Sequence, residues 1–248
     1  DTFNVGVVWD ITDNFDLTVD YWSLETEGLI EDISSNELLQ TQAKLYQLAD
    51  QNGLPRPDIS LIYPGSSISL LPNGRIDHVV APRINLGMSE REGVDVSFNA
   101  NFDTDIGTFE AGFNVSKYLK YKYTYVDNGE SFVSEDEAGR TDTPDLRINI
   151  SLDYTLGDHS VHYFANYIGA QTSWQYNGDT EDTGLYEIDS YTSHNLSYNY
   201  NMPWNNSFTL GVNNLTDEDP KFRKDGSYEG NLYSIRGRTY YLSFRQSF

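Results

Sequence analysis

Four histidines, His78, His159, His162 and His194, are the first side chains to test for chemistry. They fall in different segments, with no H-E-x-x-H arrangement and no pair spaced i, i+4, so they do not read as a metal or catalytic set. No serine occupies a nucleophile-elbow pattern. The chain has no cysteine, which removes thiolate metal sites and disulfide scaffolds. Glu135-Asp136-Glu137 and Asp179-Thr180-Glu181-Asp182 offer oxygen ligands without calcium-loop spacing, and they read as solvated loop faces. Asp103-Thr104-Asp105-Ile106-Gly107 starts like a calcium loop but has no distal Glu, and it reads as a turn. Trp174, Tyr176, Tyr186 and Tyr191 flank one polar segment. Rings so placed could stack on a sugar or a catecholate, which makes Trp174, Tyr176 and Tyr186 weak candidates for ligand contact. No catalytic residue, no metal ligand and no cofactor site is read from the chain, and an enzyme is not expected.

The elements that would carry these residues are strands. Hydrophobic residues make up 38%, mean hydropathy is −0.56, and no apolar run approaches the ~18 residues of a spanning helix. Apolar residues instead recur at every second position. Phe3, Val5, Val7, Trp9 and Ile11 are followed, after a turn at Thr12-Asp13-Asn14, by Phe15, Leu17, Val19 and Tyr21. Val94 to Phe102 and Phe109 to Val115 repeat the pattern around the 103–107 turn, and Ile148 to Tyr154 and Val161 to Tyr167 repeat it around Leu156-Gly157-Asp158. His194 to Met202 turn through Pro203-Trp204-Asn205-Asn206 into Phe208, Leu210 and Val212, and the chain closes on Tyr240, Leu242, Phe244 and Phe248. Each strand carries polar residues on its other face, among them Asp20, Asp95, Glu110, Arg147 and Asp153. About nine strands of this kind, with short turns alternating with long connections at 31–83, 126–143, 175–190 and 216–233, predict an all-β transmembrane antiparallel barrel. The apolar face would meet lipid and the polar face a watery lumen, with the long connections outside the cell. The 19 Tyr and 12 Phe fit aromatic girdles at the two interfaces. A net charge of −22 repels phosphate backbones, so no nucleic-acid partner is expected.

Within the first long connection, Ser34-Ser35-Asn36-Glu37 before Leu38, Leu39, Leu45, Leu48 and Ala49, closed by Gly53-Leu54-Pro55, predicts a short helix over 36–51. Its apolar side is expected to pack on the connection's own body. The strand after Gly107 is expected to run on to Tyr125 and project beyond the bilayer. There Lys117, Lys120 and Lys122 would either meet lipopolysaccharide phosphates or reach water.

Four segments resemble the C-terminal part of the barrel of a TonB-dependent outer-membrane receptor. They are Ile84 to Asp95 with its Gly93-Val94-Asp95 triplet, Thr143-Pro144-Asp145-Leu146-Arg147-Ile148-Asn149, Gly211-Val212-Asn213-Asn214-Leu215-Thr216-Asp217-Glu218-Asp219-Pro220, and Arg236 to Phe248. Thr216 departs from the family, which more often has an aromatic there. The resemblance implies a multi-pass protein of the cell outer membrane. Residues 1–248 would be the later part of a barrel of 22 strands, with the plug domain and the segment that engages TonB lying outside this chain. It implies active uptake, powered by TonB, of a scarce extracellular ligand of the siderophore-iron, oligosaccharide or cobalamin class. Tyr240, Leu242, Phe244 and Phe248 would form the assembly signal read by the barrel-insertion machinery, while lipopolysaccharide and outer-membrane lipids would surround the barrel. Two alternatives stay open at this point: a passive porin or adhesion barrel without a plug, and a soluble β-rich module whose apolar faces close on a common core.

Overall fold

The computed structural model describes residues 1–127, 130–177, 181–223 and 226–246. The side chains at 31–32, 36–37, 84, 86, 125–127, 130–131, 174–177 and 181–185 also lie outside the description. In chain order the elements are β1 (Thr2–Thr12), β2 (Phe15–Asp32), α1 (Ser35–Gln51), β3 (Ser67–Leu70), β4 (Ile76–Val80), β5 (Arg83–Thr104), β6 (Gly107–Asp127) and β7 (Glu130–Val133). They continue with β8 (Leu146–Leu156), β9 (His159–Ile168), β10 (Gln171–Asn177), β11 (Glu181–Ile188), β12 (Tyr191–Met202), β13 (Asn206–Asn213) and β14 (Thr239–Gln246). Among the described residues, nine strands lie side by side in the order β1-β2-β5-β6-β8-β9-β12-β13-β14, with β7 added beside β6. These nine are the strands expected from the alternation. Among the described residues no helix is long and apolar enough to cross a membrane, a fact that says nothing of crossing by strands.

The register shows why the sequence takes this form. Phe109 faces Tyr154, Tyr154 faces Val161, Val161 faces Tyr198, Tyr198 faces Leu210 and Leu210 faces Leu242, one unbroken apolar row across six strands. The next row on the same face runs Ala111, Leu152, Tyr163, Leu196, Val212, Tyr240. A one-residue slip would carry polar-face residues such as Glu110, Asp153, Ser197 and Thr209 into an apolar row, so the pattern fixes the pairing. This face is not covered: Leu210, Leu242 and Phe244 are 49%, 66% and 57% exposed. In a soluble sandwich the same rows would be buried against a second sheet, so the common-core alternative does not describe this molecule.

The chain divides into two compact units. One comprises Phe3–Ser23, Glu92–Lys120 and Glu137–Phe248 and carries the rows above. The other comprises Asp1–Thr2, Leu24–Arg91 and Tyr121–Asp136. Its core is Ile33, Leu38, Ile59 and Tyr63, with Leu45, Ile62, Ile68 and Val79 packed against them. The apolar side of α1 therefore does pack on the connection's own body, as the sequence predicts. The helix stops at Gly53, whose φ of 64° lets the Leu54 amide return to the Ala49 carbonyl at 2.8 Å. Arg56 then closes over the helix end, paired with Asp50 at 2.8 Å and stacked on the Tyr46 ring. That pairing holds the Asp50 carboxyl below its usual range.

Candidate ligand-facing surface

The polar face of the first unit is ordered in rows. Nearest the short turns, Glu110, Asp153 and His162 follow one another across β6, β8 and β9, and the Asp153 carboxylate accepts a hydrogen bond from His162 Nδ1 at 2.7 Å. Two positions further along comes Gly112, Ser151, Phe164, Asn195, and then Asn114, Asn149, Asn166, Ser193. The row nearest the long connections is Ser116, Arg147, Ile168, Tyr191. A concavity of about 820 Å³ opens beside the acidic row, lined among others by Asp10, Asp16, Asn99, Asn101, Glu110 and Asp153. Within it Asn99 donates to Asp16 at 2.8 Å, and further along the same face Ser97 donates to Asn114 at 2.6 Å.

The connection between β13 and β14 folds over one end of this face. Asn214, buried and at φ 54°, turns the chain out of β13. Its backbone amide donates to Asn195 Oδ1 at 2.9 Å, and its side chain both donates to and accepts from the backbone of Glu218. Asp217 then accepts from the Arg238 backbone amide at 2.6 Å, which draws the start of β14 to the corner. The Gly211-to-Pro220 segment is thus a corner in which side-chain amides replace the lost ladder bonds. Further on, Tyr233 is 4% exposed and packs with Tyr228 and Leu232 over Ile168 and Tyr191, the two apolar residues of the last polar-face row. Gln171, 2% exposed, donates to the Tyr233 hydroxyl at 2.6 Å, while its own Oε1 has no donor among the described residues. Burial pushes the Tyr233 phenol above its ordinary pKa, partly offset by the Gln171 bond. Arg223, ion-paired with Glu229 and 3.3 Å from Asp142, ties the same connection to the loop before β8.

The sequence candidates distribute as follows. Trp174 and Tyr176 lie in β10 and Tyr186 in β11, an antiparallel hairpin that places Trp174 opposite Leu185 and Tyr186 opposite Ser173. Residues 171–177 and 181–188 are therefore paired as a ribbon, where the sequence reads as a loop. Tyr191 is buried against Tyr233 at 5.2 Å between ring centroids, so it holds the connection in place instead of offering a free ring. Tyr240, Leu242 and Phe244 lie on the apolar face of β14, and Phe248 lies outside the described residues. Lys117 is ion-paired with Asp145, and Lys120 lies 3.7 Å from Glu92. His159 stacks on Tyr200 and bonds Tyr198, while His194 bonds the Tyr163 hydroxyl, all on the apolar face. Among the described residues no group of three His, Asp or Glu converges as a metal site. The pairing of Gln171 with Tyr233 and the row Ser116, Arg147, Ile168, Tyr191 were not read from the sequence. Periodicity could place Arg147 on the polar face but could not show what lay beside it.

Strands with one bare apolar face and one polar face, short turns at one end and long folded connections at the other, define part of a membrane barrel. The family model described as TonB dependent receptor-like, beta-barrel, matches residues 1–215, and the chain belongs to that family. A comparison with curated proteins finds no match. Among solved structures it is similar to the outer membrane transporter YddB from Escherichia coli, with a TM-score of 0.63 and 11% identity over 98% of this chain and 32% of that one. It is also similar to the siderophore receptor PirA from Acinetobacter baumannii, with a TM-score of 0.61 and 16% identity over 100% of this chain and 31% of that one. The ferric enterobactin receptor PfeA from Pseudomonas aeruginosa gives a TM-score of 0.59 and 18% identity over 98% of this chain and 30% of that one. The chain thus spans about a third of the length of these receptors, and at such identities the likeness is one of fold.

Proposed function

We propose that this barrel segment belongs to an outer-membrane active transporter that takes up a scarce extracellular ligand of the siderophore-iron, oligosaccharide or cobalamin class with energy from TonB. The family match over residues 1–215 carries this reading. On it, the bare apolar rows face lipid, the polar rows line the lumen, and the folded connections after β2, β6, β9 and β13 stand outside the cell. A plug domain encoded elsewhere in the polypeptide fills the lumen and contacts TonB. Trp174, Tyr176 and Tyr186, carried on the exterior ribbon, contact the ligand. Tyr240, Leu242, Phe244 and Phe248 present the assembly signal to the barrel-insertion machinery. Lipopolysaccharide surrounds the outer rim near Lys117 and Lys120.

The test is uptake in cells carrying or lacking the intact receptor, with and without functional TonB, using labelled ferric siderophores, oligosaccharides and cobalamin. Uptake of one class that needs both the receptor and TonB is the expected result. A stable open conductance of the purified intact protein in a planar bilayer, together with TonB-independent uptake, would instead establish the passive barrel.

A further inference from the structure

Resting on the uptake reading, we propose that Arg147, Asn149 and Asn166 form a lumen-facing subsite for a hydroxylated carboxylate, the guanidinium taking the carboxylate and the two amides its hydroxyl groups. Arg147 and Asn149 sit two residues apart on the polar face of β8, and Asn149 is the direct cross-strand partner of Asn166 on β9. Their side chains therefore root about 5–7 Å apart, the span of one sugar ring or one hydroxy-acid chelate. Arg147 is exposed, and none of the three side chains makes a hydrogen bond or ion pair among the described residues. On the same face Asn99, Asn114, Asn195 and Asp153 are engaged by neighbours.

The chemistry of the three groups is specific. A guanidinium presents two parallel N–H donors that match a carboxylate. An amide carries both donors and acceptors, which is what a hydroxyl requires of its partner. The surroundings orient the ligand. Beyond Arg147 the wall is closed by Ile168 and Tyr191 under Tyr233, and on the other side of the amides, past the row Gly112, Ser151 and Phe164, lies the row Glu110 and Asp153. Those carboxylates repel an anion, so the ligand's acid group is held at Arg147 with its hydroxyls directed to Asn149 and Asn166. Two sources share this chemistry: an oligosaccharide built of uronic acids, and an iron chelate of a hydroxycarboxylate.

The experiment uses the intact receptor purified in detergent, titrated calorimetrically with a uronate oligosaccharide, with ferric citrate, and with a neutral oligosaccharide of equal length. Binding of the first or second probe, weakened about tenfold or more by Arg147→Ala and less by Arg147→Lys, is the expected result. Which acidic probe binds identifies the source. Asn149→Ala with Asn166→Ala should weaken the same probe without restoring affinity for the neutral one. Heat-modifiable migration of each variant on gels checks that the barrel has formed. Binding of neither acidic probe by the wild type, or equal binding by wild type and Arg147→Ala, overturns the subsite. TonB-dependent uptake of another cargo that survives Arg147→Ala would then leave the transporter reading intact, whereas uptake without TonB would remove that reading itself.

Discussion

Gly93, the glycine of the Gly93-Val94-Asp95 triplet, shows how a short motif encodes a contact. A Cβ at this position would fall into the Trp22 ring and lie 2.9 Å from the Lys117 carbonyl oxygen, so only glycine lets β2, β5 and β6 lie together with Trp22 between them. Trp22 in turn meets Tyr118 edge to face at 5.5 Å. We predict that Gly93→Ala costs about 1–3 kcal/mol, read from denaturant unfolding in lipid vesicles. A neutral result would mean that Trp22 has another place to go. Tyr233 supports a second prediction at this scale. Burial raises its folded-state pKa, so its contribution is present below the ordinary tyrosine value of about 10 and is lost as pH rises through the folded value. Protease cleavage within 216–238 should therefore accelerate above about pH 10 in the wild type. In Tyr233→Phe that acceleration should vanish, leaving the connection more accessible at neutral pH because the Gln171 bond is lost. Unchanged cleavage across that range would refute the tie.

Elements differed in how far they could be read, and the difference follows the range of the forces that make them. The nine-strand path and α1 depend on local pattern: alternation for the strands, and for the helix an apolar run closed by Gly53. The hairpin of β10 and β11 has polar residues on both sides, as in Gln171-Thr172-Ser173, and gives no period-two signal. β3 and β4 are only four and five residues long, too short for alternation to mark them, and their Ile68 and Val79 matter because they pack near Leu38 and Tyr63. The Gln171 to Tyr233 bond joins residues 62 apart, and no window along the chain contains both. Likewise the three unengaged side chains of the proposed subsite have ordinary residue types, and only the register brings them together. Local signals thus gave the barrel strands, while the exterior connections required the structure. The helix gives this scale its prediction. Leu38 is fully buried at the centre of the core of its unit, so Leu38→Ala should cost about 2–5 kcal/mol locally. It should speed proteolysis within 33–82 while leaving the heat-modifiability of the barrel unchanged, and equal proteolysis of variant and wild type would place the core elsewhere.

At the scale of the whole molecule, what matters is which side of the sheet meets hydrocarbon. Tyr198, Leu210 and Leu242 occupy neighbouring places in one apolar row, and Thr209 and Ser243 occupy the adjoining positions on the polar face. If lipid covers the apolar row, Leu210→Arg places an ion in hydrocarbon at a cost of about 2–4 kcal/mol when the position lies near the midplane. Thr209→Arg, one residue away along β13, points to water and should cost much less. The comparison cancels strand propensity and the added bulk, since both variants put the same side chain into the same strand. Unfolding of the intact receptor from lipid vesicles by guanidinium measures the difference. Labels at Val96 and Phe98, against Ser97 and Asn99, supply an independent reading on β5, where Phe98 stacks with Phe15 and Asn99 bonds Asp16 across to β2. Equal destabilisation by the two arginines, with equal accessibility of the two label sets, would contradict the membrane orientation on which the transport reading depends.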